Sequence, residues 1–294
     1  MNPIAQPVDF NTMKPLVQEV QKQKQQEIDA EYVSISLPSG YKLYDFKDLY
    51  IKPFKTKHIR KLLQGQMNEN TRYMIEVFNS CLSCKEGYTD LAYRLCREDF
   101  TYIQYWQRKH SMPSTPYTQM IHCTAPEHEE LIRQGKMRES SLDFPYTFND
   151  KLTVTNLENF SEDNLQEYLT DYLKELGVSL RIPRMQDIVE MEELAETATT
   201  EEVGEDGLAW YLSAIPALLI SKKDSNDKEI SFKEKFDIVD NSDPETMVRL
   251  RQANEACPDF GVKQTIQYKC PGCGALGTTQ LVLNAHSFLP ESLL

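Results

Sequence analysis

Hydrophobic and polar residues alternate near the start of the chain and then change period. Residues 32–37 alternate, Pro38-Ser39-Gly40 provides a turn, and a second alternating stretch reaches Phe54. This pattern predicts a β-hairpin or a small meander, because neighbouring side chains of a strand point to opposite faces. From Ile59 onward apolar residues recur every three or four positions, which predicts helices. Strands, then helices, then further strands indicate an α+β fold.

The aromatic-rich stretch from Leu91 to Arg108 is predicted to be a helix. Asp99 and Arg108 flank its aromatic residues. We interpret Asp99 as a capping carboxylate and Arg108 as a surface arginine, and we do not expect the pair to be catalytic. A second helix is predicted over residues 161–176, with Ser161 as its N-cap.

The charge of the chain is unevenly distributed. Residues 1–150 hold 19 basic and 19 acidic side chains, so the net charge of −13 comes from the remainder. Within it, residues 187–206 contain nine acidic residues and no basic one, and we expect an acidic loop there. A protein that neutralises phosphates needs the opposite balance, which argues against nucleic acid or an anionic membrane as a partner. The sequence also has no apolar run of the roughly 18 residues that a membrane span requires.

A basic patch in the N-terminal part is predicted to contact another protein or a second copy of the chain. It consists of Lys55, Lys57, Arg60 and Lys61, preceded by Lys42, Lys47 and Lys52. In an acidic chain such a patch suits charge-complementary assembly with a surface such as the acidic stretch.

The first 30 residues carry a short apolar stripe at helical spacing, formed by Met13, Leu16, Val17 and Val20. Four apolar side chains are too few for a core of their own. The segment is therefore either a flexible terminal arm or a helix that binds in the groove of a partner.

These patterns divide the chain into two halves and several smaller parts. Our predicted parts are an arm at 1–30, strands plus helices at 31–123, an insertion at 124–160, a mostly helical half at 161–256 and a zinc-ribbon-like segment at 257–294.

The strongest local motif is Cys270-Pro271-Gly272-Cys273-Gly274. Two cysteines separated by two residues, with glycines that let backbone N–H groups turn toward the sulfur atoms, form a zinc knuckle, which is half of a tetrahedral site. A redox function is disfavoured because no βαβ pattern surrounds the motif.

Zinc needs a second pair of ligands, and the sequence offers three. Cys123 and His128 are our first choice. Cys257 with His286 is nearer in sequence, and Cys81 with Cys84 is formally another CxxC, although it ends a predicted amphipathic helix where packing is the simpler interpretation. The sequence contains no GxSxG, P-loop or HExxH motif, so we do not expect an enzyme.

Taken in order, several segments resemble the T-even-type bacteriophage baseplate protein family, which includes hub subunits and hub-assembly proteins of contractile tails. The resemblance covers about residues 32–290. The segments are Ser36–Gly40, Leu49–Phe54, Asp99–Arg108, the knuckle at Cys123, Leu180–Pro183 with the acidic helix after it, the CPGCG motif, and Phe288-Leu289-Pro290.

The resemblance implies that the central knuckle at Cys123 pairs with the terminal one at Cys270 and Cys273. The family usually shows CxxC at the central position, whereas here Ala125-Pro126 intervene and the second thiol is missing. His128 is expected to take its place, and the alternative is a site without metal. The two parts of the chain would then be closed by a zinc-ribbon-like pair of knuckles.

The function that the resemblance implies is structural: a component of the hub or wedge region of a contractile tail baseplate, assembled in the host cytoplasm and located in the virion. It would bind other baseplate proteins or copies of itself, without nucleic acid, membrane or small-molecule substrate. One alternative is a transient assembly chaperone that is absent from the mature virion. The other is a zinc-ribbon regulator that binds nucleic acid or a polymerase.

Overall fold

The computed structural model describes residues 31–66, 71–114, 117–148, 152–197 and 208–280. Several predictions therefore lie outside the described residues: the apolar stripe of Met13, Leu16, Val17 and Val20, the end of the acidic stretch after residue 197, and His286. Within the described part of the chain the fold is a mixture of helices and strands, as the α+β prediction requires. No helix found there is long and apolar enough to cross a membrane.

The N-terminal part begins with the predicted meander. Strand β1 (Val33–Ile35) pairs antiparallel with β2 (Leu49–Ile51), with Val33 opposite Ile51. The connection turns at Gly40 and Tyr41, which both have positive φ angles. Helices α1 (Thr56–Gln66) and α2 (Thr71–Asn79) intervene before β3 (Leu82–Ser83) adds to the other edge of β2.

The predicted helix from Leu91 to Arg108 is broken in two. Helix α3 (Leu91–Arg94) stops before Cys96, which forms a β-bridge with Arg184, and α4 (Arg97–Ser111) starts after it. The long-range bridge replaces the helical backbone bonds that local periodicity predicts. The N-terminal core includes residues of both helices. Its largest fully buried side chains include Phe46, Leu49, Ile51, Leu62, Ile75, Phe78, Leu91, Leu95 and Ile103.

The interpretations of Asp99 and Arg108 were wrong in one respect each. Asp99 is completely buried and does not cap its own helix; it accepts hydrogen bonds from the backbone N–H of Ser39, at 3.0 Å, and from the hydroxyl of Tyr44, at 2.7 Å. Arg108 is buried rather than on the surface. Asp99 therefore fastens the β1–β2 connection to α4.

The middle of the chain forms a hairpin that encloses a helix. Strand β4 (Tyr117–His122) is followed by α5 (Pro126–Arg133), a 3-10 turn and β5 (Asp143–Phe148), which pairs antiparallel with β4. Residues of the segment predicted as an insertion, 124–160, thus complete a hairpin that begins before it. The short β6 (Val154–Thr155) follows.

The C-terminal half starts with the predicted Ser161 cap, which accepts a hydrogen bond from the backbone N–H of Asp163. The helix predicted over 161–176 is in fact a 3-10 helix followed by α6 (Asp171–Glu175), because Thr170 interrupts it and caps α6. The elements after it are β7 (Ser179–Leu180), α7 (Met185–Thr197), α8 (Leu208–Ala217), β8 (Ile220–Ser221), α9 (Phe232–Asp240) and α10 (Pro244–Ala256). They enclose a second core around Leu165, Leu173, Trp210, Ala214, Leu219, Phe232 and Leu250.

The acidic stretch differs from the expected loop. Up to Thr197 it is the helix α7, and its first carboxylate, Asp187, is buried. Asp187 accepts two hydrogen bonds from Arg181 and one, at 2.7 Å, from the buried ammonium group of Lys235. Lys235 is 48 residues away in the sequence. A carboxylate that the acidic sequence pattern predicts to be solvated is therefore part of the core.

The last described residues form three strands. Strand β9 (Gly261–Val262) pairs with β6, and β10 (Thr265–Lys269) pairs antiparallel with β11 (Leu276–Gln280). Gly261 adopts a φ of +90°, and a Cβ atom there would lie 3.1 Å from the side chain of Glu98 on α4. Glycine at this position therefore allows β9, which precedes the β10–β11 hairpin, to lie close against α4.

Candidate metal centre

Four predicted ligands meet between the two hairpins. The ligand atoms of Cys123, His128, Cys270 and Cys273 all lie within 4.8 Å of one another. Cys123, His128 and Cys270 are almost inaccessible to solvent, and Cys273 is half-buried. The structure thus brings together two pairs that are about half the chain apart.

The first pair is positioned by the end of β4 and the start of α5. The backbone N–H of Cys123 donates to the carbonyl of Leu142 at 2.9 Å, which holds the cysteine at the end of the hairpin. Pro126 occupies the first turn of α5, where its missing N–H is not needed. His128 follows within that turn and is turned inward, with no exposed surface.

The second pair lies in the tight turn between β10 and β11. The N–H of Gly274 donates to the carbonyl of Cys270 at 3.0 Å. The N–H of Cys270 in turn donates to the carbonyl of Ala275 at 2.9 Å. Gly274 has a φ of +77°, which a residue with a side chain rarely adopts. At Gly272 the reason for glycine is space, because a Cβ atom would lie 2.9 Å from Cε1 of His128 and 2.8 Å from Cε of Met137.

The same turn also matches a dinucleotide-binding spacing, GxGxxG, formed by Gly272, Gly274 and Gly277. The structure excludes that function for it. The three glycines lie between antiparallel strands, whereas a phosphate-binding loop joins a strand to a helix N-terminus. Gly277 instead accommodates the ring of Tyr268, which would lie 2.5 Å from a Cβ atom at this position.

The distances inside the cluster suit a shared ion. The sulfur atoms of Cys123 and Cys273 are 3.8 Å apart, and Nδ1 of His128 is 3.3 Å from the sulfur of Cys270. Sulfur ligands placed at roughly 2.3 Å from a tetrahedral metal ion lie about 3.8 Å apart, as these two do. The cluster can therefore hold a metal ion.

The electrostatics of the turn favour a thiolate at Cys270. Desolvation raises the pKa of this thiol, but the backbone N–H groups of Cys273 and Gly272, together with the side chains of Cys123 and Cys273, outweigh it and lower the pKa to about 6. The net shift is opposite at Cys123, where burial and the neighbouring cysteines raise the pKa of the thiol to about 11. A bound cation would shift both thiols toward the thiolate form that coordinates it.

Ser141 orients the imidazole of His128. Its hydroxyl lies 2.9 Å from Nε2 of the ring and also donates to the carbonyl of Arg138. Because the hydroxyl proton is used on Arg138, the serine oxygen accepts the proton of Nε2. The lone pair is then on Nδ1, the nitrogen that faces Cys270.

Few apolar contacts hold the hairpins together around the cluster. The rings of Phe144 and Tyr268 meet edge to face, with centroids 5.6 Å apart. The buried residues of this small core are Ile121, Cys123, Phe144, Tyr268 and Cys270. Two of the five are candidate ligands, so the cluster itself makes up much of this small core.

The other sequence candidates lie elsewhere. The thiol of Cys257 donates to the carbonyl of Ala253 at the end of α10. Cys81 and Cys84 are buried in the N-terminal part, in agreement with the packing interpretation. His286 is outside the described residues.

The basic patch lies apart from the cluster, on and just before α1. The side chains of Lys55, Lys57, Arg60 and Lys61 are exposed, and Lys55 forms an ion pair of 3.0 Å with Glu31.

Sequence reasoning missed one residue of the centre, Ser141, and the steric role of another, Gly272. Ser141 belongs to a short run of polar residues with no recognisable spacing to the ligands, so no sequence signal marks it. Gly272 was recognised as part of the knuckle, but its close contact with His128 follows only from the folded arrangement.

Comparison with known proteins identifies the family. A protein-family model described as T4 bacteriophage base plate protein matches residues 30–289, a range that includes all four residues of the cluster. A search of curated proteins gave no match, and a search of solved structures gave none either. The predicted resemblance to phage baseplate proteins is therefore confirmed at the level of the family, and the chain belongs to the T4 bacteriophage base plate protein family.

Proposed function

We propose that this baseplate protein is a structural or assembly component of the hub or wedge region of a contractile tail, and that it works by binding other proteins and not by catalysis. In this proposal Cys123, His128, Cys270 and Cys273 bind one structural zinc ion. The observation that carries the zinc assignment is the convergence of these four side chains between two hairpins.

Zinc is the metal that this donor set favours. Three sulfur atoms and one imidazole nitrogen form a soft set of ligands, and Cys₃His is a common composition of structural zinc sites. Four protein ligands also complete a tetrahedron, so no position remains for a reacting water or substrate. A closed, buried site of this kind supports a structural role.

The ion would act on stability by joining distant parts of the chain. Cys123 and Cys273 are separated by 150 residues. The unfolded chain does not bring ligands so far apart in sequence together, so the ion binds the folded state, and the binding free energy of a structural zinc adds directly to the free energy of folding. This contribution matters here because the apolar core between the hairpins is small.

Protein contacts are assigned to the basic patch and to the terminal arm. The exposed Lys55, Lys57, Arg60 and Lys61 offer positive charge in a chain whose net charge is −13, and an acidic neighbour or a second copy would complement it. Met13, Leu16, Val17 and Val20 are proposed to bind a neighbouring subunit. The same net charge disfavours nucleic acid as the partner, and with it the regulator alternative.

The metal is tested by elemental analysis of the full chain purified without chelators. We expect about one zinc per chain, which Cys273→Ser should abolish. Cys257→Ser is the matched control, because Cys257 is a half-buried cysteine outside the cluster, and it should retain the metal. Folded protein without zinc, or equal loss in both variants, would contradict the assignment.

The location in the particle is tested by mass spectrometry of purified mature tails. A hub or wedge component is expected there in fixed stoichiometry to other baseplate proteins. If the chain is present only in assembly intermediates, the protein is a transient assembly chaperone. If the chain is found neither in mature tails nor in assembly intermediates, the proposed role is wrong whatever the metal analysis shows.

A further inference from the structure

An apolar face of α8 is exposed and borders a cavity. Tyr211 and Ile215 retain 43% and 45% of their accessible surface. Both residues line a cavity of about 620 Å³ between α4, α7 and α8. Its apolar lining also includes Met74, Phe100, Met185, Ile188, Met191 and Leu218.

A second cavity continues the first toward the C-terminal hairpin. It has a volume of about 330 Å³ and shares Arg97, Glu98 and Phe260 with the larger one. Its far end is lined by Gln280, the last residue of β11. The two cavities therefore form one groove, which leads from the end of the described chain to the exposed face of α8.

Glu98 lies where the two cavities meet, and it lacks a donor. Its Oε2 atom is buried and has no hydrogen-bond partner among the described residues. Burial raises the pKa of this carboxyl group. A buried carboxylate oxygen without a donor is costly, so a native structure normally supplies one. The groove thus contains a polar anchor as well as apolar walls.

The chain continues beyond Gln280 with a sequence that suits such a groove. Seven of the residues 281–294 are large and apolar: Leu281, Val282, Leu283, Phe288, Leu289, Leu293 and Leu294. Fourteen residues can extend over as much as roughly 46 Å. The family match continues to residue 289, so most of this segment belongs to the pattern of the family.

We propose that residues 281–294 bind along this groove in the same chain. Backbone N–H groups of the segment donate to Glu98, and Phe288 and Leu289 cover Tyr211 and Ile215. The segment follows Gln280, the residue of β11 that lines the groove. This favours it over a second copy or a different protein as the occupant, because no additional loss of translational freedom is involved. This inference does not depend on the metal.

The test is photo-crosslinking in the full, metal-loaded chain. The photoreactive substitution Phe288→p-benzoylphenylalanine is introduced, and equal amounts of isotopically light and heavy protein are mixed before irradiation. We expect cross-links to Met191, Tyr211 or Ile215, and we expect them between residues of equal isotopic label. Cross-links between light and heavy chains would assign the groove to a second copy and overturn the proposal. Cross-links confined to other surfaces, or absent ones, would overturn it as well.

A pair of substitutions makes the result specific. Ile215→Glu places a charge in the groove and should reduce the yield of these cross-links at least tenfold. Val248→Glu is the matched control, because Val248 is similarly exposed, at 55%, and does not line the groove; it should leave the yield unchanged. Thermal unfolding confirms that both variants are folded. Equal effects of the two would contradict binding at the α8 face.

Discussion

Nε2 of His128 lies 2.9 Å from the hydroxyl oxygen of Ser141, whose proton is donated to the carbonyl of Arg138. This relationship fixes the ring in one tautomer and leaves the lone pair on Nδ1, 3.3 Å from the sulfur of Cys270. The candidate site is therefore oriented by the 3-10 turn after α5 as well as by its ligands.

Removing the hydroxyl should weaken metal binding without removing a ligand. For Ser141→Ala we expect zinc affinity to fall roughly 10- to 100-fold, the usual effect of losing a residue that orients a coordinating histidine. Competition with a chromophoric chelator measures it. Ser140→Ala is the control, because Ser140 is exposed and adjacent in sequence. Unchanged affinity in Ser141→Ala would show that the ring is held by packing alone.

Gly272 should tolerate no side chain. In Gly272→Ala the added methyl group meets His128 and Met137 at less than 3 Å. Met137 can move, whereas the histidine ring is held by Ser141, so part of the strain falls on the ligand. Overpacking costs about 1–3 kcal/mol, so the part that falls on the ligand should weaken zinc affinity by at most roughly 150-fold. The exposed Thr278→Ala on the same hairpin should bind zinc as the wild type does. Equal affinities in a chelator titration would contradict the steric argument.

The buried pair of Asp187 and Lys235 should be important for stability. Asp187→Asn removes the more buried of the two carboxylates that Lys235 and Arg181 share and leaves them Glu229. Breaking a buried ion pair from one side costs about 3–5 kcal/mol, so with Glu229 retained we expect a loss near the lower end of this range, which urea unfolding monitored by circular dichroism can detect. Asp237→Asn changes an exposed carboxylate on the same helix as Lys235 and should have little effect. A similar midpoint for both variants would contradict the prediction.

The contribution of the Asp187 carboxylate to the free energy of unfolding should also depend on pH. Burial raises the pKa of its carboxyl group, but the charges of Arg181 and Lys235 outweigh this and hold the pKa below its ordinary value of 3.8. Because the folded pKa is the lower one, this stabilisation is fully present above about pH 4 and is lost as the pH falls through the folded value. The difference in unfolding free energy between wild type and Asp187→Asn should thus be constant from pH 7 to 5 and shrink in stronger acid. A difference that grows on acidification would contradict the sign.

The parts of the fold that could be predicted are those with local signals. The knuckle CPGCG could be predicted because both thiols and the turn glycines are close together in sequence. Ser161 could be predicted as a cap because it directly precedes the first helical turn. Cys123 and His128 needed the resemblance as well, since a Cys-x4-His spacing is common by chance. Their proximity to Cys270 is set by the pairing of two separate hairpins.

What could not be predicted depends on contacts between distant residues. The break before α4 arises because Cys96 forms a bridge with Arg184, and periodicity around Leu91 carries no trace of that contact. The acidic residues around Asp187 predict a solvated carboxylate, but in the fold it pairs with Lys235, which is 48 residues away in the sequence. In both cases a long-range interaction overrides a correct local preference.

Reversing the charge of the basic patch should slow association and leave the fold intact. The triple variant Lys55→Glu, Lys57→Glu, Lys61→Glu changes exposed side chains, while Leu62 of the same helix remains in the core. The ion pair of Lys55 with Glu31 is lost, but a solvent-exposed pair contributes little to stability.

The control must carry the same change of net charge elsewhere. Lys136→Glu, Lys228→Glu, Lys233→Glu reverses three exposed lysines outside the patch. Charges at the rim of an interface act mainly through the association rate, and salt screens them with a Debye length of about 8 Å at physiological ionic strength. Incorporation of each variant into baseplates is measured by complementation, with association rates followed at low and high salt. The patch variant should be slower than the control at low salt and approach it at high salt, because screening removes the long-range attraction that only the wild-type patch provides. Equal rates at low salt would show that net charge, and not this patch, governs assembly.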